Sequence, residues 1–162
     1  MAEATTYVYD ATDKVLGRLA SETAKALLSG KRAGRDDRVI IINSEHAIIS
    51  GKRSRILSDY RAKYELNHAR KGPFFPRMPD QILKRSVRGM LPYQKNSTGR
   101  EAVRALRVMI GVPYELSKDE LPDGHEWADL SNIDRPLPDR FVRLGEVSIA
   151  LGIDGSRWGG VQ

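Results

Sequence analysis

Residues 6–42 read TYVYDATDKVLGRLASETAKALLSGKRAGRDDRVIII, and this stretch determines the fold class that the sequence predicts. Residues 6–9 are aromatic and β-branched, which favours a short strand. From Val15 to Leu28 the apolar residues recur at i, i+1, i+4 and i+5, which predicts a helix that Gly30 ends in a left-handed conformation. Residues 39–42 (VIII) are typical of a strand buried on both faces. Strand, helix and strand in that order predict a parallel pair joined by a crossover helix.

The middle of the chain predicts two more helices, each with a basic outer face. Residues 54–65 carry an apolar stripe, and their Arg and Lys side chains lie off it. Pro79 suits the first position of a helix that runs to about residue 89. Residues 47–49 extend or flank the buried strand. Residues 98–101 (TGRE) have capping-box spacing ahead of a further helix that includes Ala102, Ala105 and Leu106, and residues 108–110 either form a last strand or finish that helix. After Pro113 the sequence predicts irregular acidic chain with one short helix over residues 144–151.

Composition narrows the class of protein. A chain of 162 residues with 40% hydrophobic residues suits one globular domain with a tail. The absence of cysteine excludes disulfides, thiolate zinc sites, iron–sulfur ligation and a cysteine nucleophile. No apolar run approaches the roughly 18–20 residues of a bilayer span, and residues 1–3 (MAE) do not begin a signal peptide. The sequence therefore predicts an intracellular protein that does not contact a membrane.

The positive charge is concentrated in the middle third of the chain. Residues 51–107 carry 15 Lys and Arg against 4 Asp and Glu, whereas residues 1–50 are balanced at 7 and 7. Residues 108–162 are acidic, with 5 basic and 10 acidic side chains. In the basic block Arg outnumbers Lys ten to five, and guanidinium groups match the geometry of phosphate. This pattern favours a nucleic-acid partner over a solvated basic face.

Aromatic residues are interleaved with the basic ones, as in proteins that stack unpaired bases. Phe74 and Phe75 lie in a loop rich in Gly and Pro, so one ring can anchor the loop while the other stays available to a partner. No RNA-recognition motif, KH loop or zinc finger is present, so phosphate contacts and shape are expected to dominate. The residues predicted to contact RNA are Lys52, Arg53, Arg55, Arg61, Lys63, His68, Arg70, Lys71, Phe74, Phe75, Arg77, Lys84, Arg85, Arg88, Tyr93, Lys95, Arg100 and Arg104.

Catalytic patterns are weak throughout the sequence. The three histidines lack the spacing of a metal site, so neither a metal nor another cofactor is predicted. Gly51-Lys52 fails as a phosphate-binding loop because His46 replaces the leading glycine and Arg53 the magnesium-binding hydroxyl. The turn after the first strand also lacks the glycines of a dinucleotide site. A small α/β enzyme acting on a nucleotide or phosphorylated substrate remains the alternative interpretation.

Several short motifs occur together along the chain. The central ones are GPFFPRMPD at residues 72–80 and SVRGMLP at residues 86–92. The remaining motifs are DAT at 10–12, LGRLA at 16–20, INSE at 42–45, SGK at 50–52, GREA at 99–102 and VMIGVPY at 108–114. Together they resemble the universal large-subunit ribosomal protein L-thirteen family, in its archaeal and eukaryotic branch. The likeness covers about residues 7–114, and the combination of motifs is specific although no single one is.

This resemblance implies a three-layer α/β/α domain with a small parallel sheet, followed by an irregular C-terminal extension. We expect an α/β RNA-binding core domain over residues 1–113 and an acidic extension with a short helix over residues 114–162. The implied role is structural rather than enzymatic: binding and organising ribosomal RNA in the large subunit, in support of assembly and translation. One copy per cytoplasmic ribosome is expected, with the acidic extension contacting neighbouring basic ribosomal proteins. A regulator that binds messenger RNA is a further alternative, because phosphates are alike in both RNAs.

Overall fold

A computed structural model of the chain describes residues 4–117 and 121–158. The strands are β1 (Thr6–Asp10), β2 (Arg38–Ile42), β3 (Ile48–Ser50), β4 (Leu106–Val108), β5 (His125–Trp127) and β6 (Phe141–Arg143). The α-helices are α1 (Leu16–Arg32), α2 (Arg53–Glu65), α3 (Pro79–Met90), α4 (Ser97–Arg104) and α5 (Leu144–Ala150). None of the described helices is long and apolar enough to cross a membrane.

The central sheet is parallel and has the strand order β4-β2-β1-β5. Val8 of β1 lies opposite Ile40 of β2 on one side and Trp127 of β5 on the other. Helix α1 connects β1 to β2, which confirms the parallel pair predicted from residues 6–42. A second, antiparallel pair joins β3 to β6. The chain is thus mixed α/β with a parallel sheet flanked by helices, and the predicted three-layer class is confirmed.

The main core lies between the sheet and helices α1 and α3. Leu19 and Leu27 of α1 and Leu83 of α3 pack with Ile41 of β2, and all four side chains are buried. The opposite face of the sheet carries a smaller cluster in which Val8 and Ile42 pack with Leu116, at the end of the 3-10 helix Tyr114–Leu116. Because α3 is anchored through one apolar stripe, the side chains on its other face are directed outward.

The chain after residue 113 is more ordered than the sequence predicts. The helix expected at residues 144–151 is present as α5, but the short strands β5 and β6 were not predicted. Strand β5 extends the parallel sheet, and β6 and α5 bring Val142, Leu144 and Val147 into the main core with no exposed surface. Strands of three residues have too little sequence to show a pattern, so their pairing partners determine them.

The prediction that Gly30 ends the first helix is wrong. Helix α1 continues to Arg32, and the left-handed glycine beyond it is Gly34, with φ of 72°. Gly30 is buried inside the helix because Asp37 packs against it: a Cβ at Gly30 would lie 2.6 Å from Oδ2 of Asp37. The sequence left residues 108–110 open between a last strand and the end of a helix. Strand β4 pairs with β2 but spans Leu106–Val108, so only Val108 of that segment lies in a strand, and α4 ends earlier, at Arg104.

A hydrogen-bonded cluster joins the carboxyl ends of β1 and β2. One carboxylate oxygen of Asp10 accepts hydrogen bonds from the Thr12 backbone N–H (2.9 Å), the Thr12 hydroxyl (2.7 Å) and the Asn43 side-chain amide (3.0 Å). Burial alone would raise the pKa of Asp10, but the hydrogen bonds from Thr12 and Asn43 and the charge of Lys14 outweigh it and lower that pKa. The ionised carboxylate therefore fixes the turn that leads into α1.

Two glycines in α1 should respond in opposite ways to replacement by alanine. Gly30→Ala should lower the free energy of unfolding by about 1–3 kcal/mol, because the new methyl group overlaps a buried carboxylate held by Arg35 and the Thr5 amide. Gly17→Ala should raise it by about 0.5–1 kcal/mol, because a Cβ there would have no atom within 4 Å apart from its chain neighbours and the backbone of its own helix. Urea unfolding of both variants checks this pair, and equal effects would contradict the close approach at Gly30.

The Asp10 cluster predicts a pH-dependent contribution to stability. Since the pKa of Asp10 is lowered in the folded chain, its contribution is complete above the unfolded pKa of about 3.9 and is lost as the pH falls through the folded pKa. Asp10→Asn should therefore be less stable than the parent by about 1–2 kcal/mol near neutral pH, and the gap should shrink in acid. Urea unfolding between about pH 7 and about pH 2.5 measures the gap. A constant gap over that range would disprove the assignment.

Candidate nucleic-acid interface

All eighteen side chains predicted to contact RNA reach the surface of the folded chain. None of them is buried, and thirteen are exposed. The five half-buried ones are Phe75, Lys84, Arg85, Arg88 and Tyr93, which belong to the loop before α3, to α3 itself and to the turn after it. The basic block therefore faces outward, because the core is built from other residues of the same helices.

Few of the fourteen cationic side chains in this set are neutralised by the chain itself. Across residues 4–117 and 121–158, only two of them have a carboxylate within 4.0 Å. Arg53 contacts Glu146 at 2.6 Å, and Arg55 contacts Asp59 at 3.9 Å. Both arginines are largely exposed, so these pairs contribute little to stability. The surface keeps most of its positive charge available for an external anion.

Phe75 organises the cations between α2 and α3. Its ring meets the ring of Tyr60 edge-on, with 5.8 Å between centroids, and burial raises the pKa of the Tyr60 hydroxyl. The ammonium of Lys63 lies 4.7 Å from the Tyr60 centroid, and the guanidinium carbon of Arg85 lies 5.0 Å from the Phe75 centroid. These cation–π contacts hold the two charged groups in place without a carboxylate.

The neighbouring Phe74 has the opposite orientation. It is 62% exposed, whereas Phe75 packs against the core. The carbonyl of Phe74 accepts a long hydrogen bond from Nη1 of Arg85, at 3.5 Å. The sequence predicts that one ring of the pair anchors the loop and the other stays at the surface. The positions of Phe75 and Phe74 confirm this arrangement.

A groove of about 270 Å³ opens beside Phe74. It is lined by Phe74, Pro76, Gln81, Lys84, Arg85 and Arg88, with Val103 of α4 on the far side. The lining holds three cations and no acidic side chain. The guanidinium of Arg88 also lies 5.1 Å from the ring centroid of Tyr93, so two of the three cations are supported by aromatic rings.

Other predicted residues lie outside this groove. Lys52 and Arg53 line a separate groove of about 420 Å³ at the start of α2, together with Asp139 and Arg140. His68 shapes the turn after α2, because its Nδ1 accepts the backbone N–H groups of residues 70 and 71 at 3.3 Å each. The side chains of Arg70 and Lys71 are exposed on that turn, and those of Lys95, Arg100 and Arg104 on and before α4.

The structure adds two arginines that the sequence-based list omitted. Arg38 and Arg107 line a groove of about 550 Å³ with the predicted Arg104, on the edge of the sheet formed by β2 and β4. Arg107 belongs to the basic block, so charge counting could have included it; Arg38 needed the strand pairing. Asp36, Glu101 and Glu115 line the same groove, which makes it mixed in charge.

The acidic side chains in the described part of the chain form neither a metal site nor an acid–base pair. No group of three or more His, Asp or Glu side chains there could hold a metal ion. Asp36 is exposed, and the hydrogen bond from Lys31 lowers its pKa, while the adjacent Asp37 is buried and paired with Arg35 at 3.0 Å. The two carboxylates face different partners, so they do not form an acid–base pair.

Comparison with known proteins identifies the family of the chain. The family model described as ribosomal protein L13 matches residues 4–115, the segment that contains every predicted contact residue. The chain belongs to the ribosomal protein L13 family. It is similar to the large ribosomal subunit protein uL13 of Archaeoglobus fulgidus, with 44% identity over 91% of this chain and 88% of the relative. It is likewise similar to that of Methanosarcina barkeri (45% identity, 90% and 96% covered) and of Halobacterium salinarum (42%, 90% and 90%).

Family membership decides between the two classes of function that the sequence left open. Proteins of the L13 family are structural components of the ribosome, so this chain is not an enzyme. The alternative of a small nucleotide-processing enzyme is therefore wrong. The similarity to the archaeal relatives spans 145 to 148 residues, so it extends past residue 115 into the segment that supplies β5, β6 and α5.

Proposed function

We propose that this chain binds and organises the RNA of the large ribosomal subunit and thereby supports subunit assembly and translation. Its relatives are named large ribosomal subunit proteins, and it acts in the cytoplasm as part of the ribosome. One observation carries the proposal: fourteen cationic side chains lie on the surface, and the described part of the chain pairs only two of them with carboxylates. A phosphate backbone supplies the missing negative charge.

The binding mechanism is neutralisation of phosphates at fixed positions. Each Lys or Arg that meets a phosphate releases condensed counterions, which gives an entropic gain in affinity. The cations on α3 are held by the anchored helix and by aromatic rings, so little side-chain freedom is lost on binding. RNA segments that fit this rigid pattern are held at a defined mutual geometry. All eighteen predicted residues remain the proposed contact set, and the groove beside Phe74 is the part of it that combines three cations with no acidic side chain in its lining.

The acidic extension has a different proposed partner: neighbouring basic ribosomal proteins. Exposed carboxylates there that have no basic group within 4.0 Å in the described chain are Glu115, Asp123, Glu126, Asp129, Asp139 and Asp154. Hydrogen bonds from Ser131 and Ser156 lower the pKa of Asp129 and Asp154, so both stay ionised. The division at residue 113 thus concerns partners: residues 1–113 bind RNA, and residues 114–162 bind protein.

Removing two charges from α3 tests the RNA-binding proposal. Arg85→Ala combined with Arg88→Ala should lower the slope of log affinity against log salt by about 1.5, because each phosphate contact contributes about 0.7–0.9. The parent chain should lose about a thousandfold or more in affinity for large-subunit RNA between low and moderate salt. Filter binding over a salt series measures both quantities.

The matched control for this test is Arg18→Ala combined with Arg135→Ala, which removes two exposed charges from other elements. The control should leave the slope within error of the parent. The α3 variant should lose only about 1–2 kcal/mol of unfolding free energy, since each guanidinium makes one surface cation–π contact worth about 0.5–1 kcal/mol. If the RNA affinity of the parent chain does not vary with salt, the mechanism is refuted. If the α3 variant fails to fold, the two arginines are structural.

The partner proposed for the extension predicts specific cross-links in assembled subunits. A carbodiimide should join carboxylates such as Glu126 and Asp129 to lysines of adjacent ribosomal proteins, because both side chains are exposed and acidic. Mass spectrometry of purified large subunits identifies the linked peptides. A density map with residues 112–162 lying wholly along RNA, and no such cross-links, would contradict the proposal.

A further inference from the structure

We propose that the groove beside Phe74 receives one unstacked base of RNA, with the Phe74 ring as its stacking surface and Lys84, Arg85 and Arg88 on the adjoining phosphates. This inference rests on the proposed RNA-binding function and goes further, because it assigns an unpaired nucleotide to a particular site. A basic surface alone attracts any phosphate backbone, whereas a cationic groove containing an exposed ring is suited to a base as well.

The exposure of Phe74 is the first observation. A large apolar ring is normally buried, and Phe75 beside it follows that rule. Phe74 remains 62% exposed although α3 and the core are close by. Its ring lies against Gly72, where a Cβ would be 3.1 Å from Cδ2 of the ring. The loop therefore holds the ring at the surface in a defined position instead of folding it inward.

The lining of the groove is the second observation. Its three cations come from α3, and no carboxylate lies among the lining residues to compete with phosphate. Arg85 is fixed by the Phe75 ring and the Phe74 carbonyl, and Arg88 by the Tyr93 ring. Charged groups that are already in place lose less freedom when they bind, which increases affinity.

The size and composition of the groove select the occupant. A volume of about 270 Å³ is just below the usual range of about 300–1,000 Å³ for sites of drug-sized ligands, so it suits a single nucleotide. Gln81 adds an amide that can hydrogen-bond a base edge. Bases inside an RNA duplex are stacked on each other and cannot reach a ring, so the occupant comes from a loop, a bulge or a strand end.

The test compares single-stranded and duplex RNA on the full chain. The probes are a labelled oligoadenylate and a blunt duplex of the same length, each followed by fluorescence anisotropy. Phe74→Leu should weaken binding of the single strand by about ten- to a hundredfold, as expected for loss of one stacked base, at an unchanged salt slope. Binding of the duplex should stay the same. Phe74→Tyr should keep the parent affinity for both probes, because it retains the ring.

Trp127→Leu is the matched control, since Trp127 is 55% exposed on β5 and far along the chain from the groove. It should leave both affinities unchanged. If Phe74→Leu weakens neither probe, or weakens both equally while folded, the base site is wrong and salt-dependent RNA binding still stands. If the parent binds neither probe nor ribosomal RNA with a salt dependence, the proposed function itself fails. If the parent binds polyglutamate more tightly than oligoadenylate, and Phe74→Leu abolishes that preference, the groove is a site for an acidic protein instead.

Discussion

The two-sided character of α3 is the constraint on which the rest of the molecule depends. Ile82, Leu83 and Val87 are buried under the sheet, and the residues between them place cations on the opposite face. Like charges on one helix face repel each other, yet in the described chain no carboxylate lies within 4.0 Å of Lys84, Arg85 or Arg88. Aromatic rings and outward orientation limit the repulsion in the free chain. The same apolar stripe that stabilises the fold thus keeps a positive surface in register for an anionic partner.

Local patterns were sufficient to predict β1, α1, β2, α2 and α3. The periodicity that indicates a helix and the apolar or β-branched run that indicates a strand both lie within the segment itself. The end of α1 was mispredicted since the role of Gly30 depends on contact with Asp37, seven positions later, which no spacing rule shows. Charge counting was sufficient to predict that the basic side chains of residues 51–107 in the contact list reach the surface. It could not predict the groove beside Phe74, because Val103 reaches it only through the packing of α4.

The acidic extension has two physical roles, and its composition alone does not distinguish them. Its apolar residues Val142 and Leu144 complete the core, and Arg143 binds Asp13 at 2.8 Å, beside the turn that leads into α1. Its exposed carboxylates carry a charge opposite to that of the basic side chains of residues 51–107. The chain therefore has a basic region and an acidic region on one compact framework, and a ribonucleoprotein particle offers partners for both.

The strand order has a consequence for the chain before it joins the ribosome. Both edges of the parallel sheet, β4 and β5, are only three residues long, and each carries a charged residue, Arg107 and Glu126. Short edges with ionisable side chains disfavour strand addition by a second molecule. The short, charged edges therefore lower the tendency of a newly made chain to polymerise through its sheet.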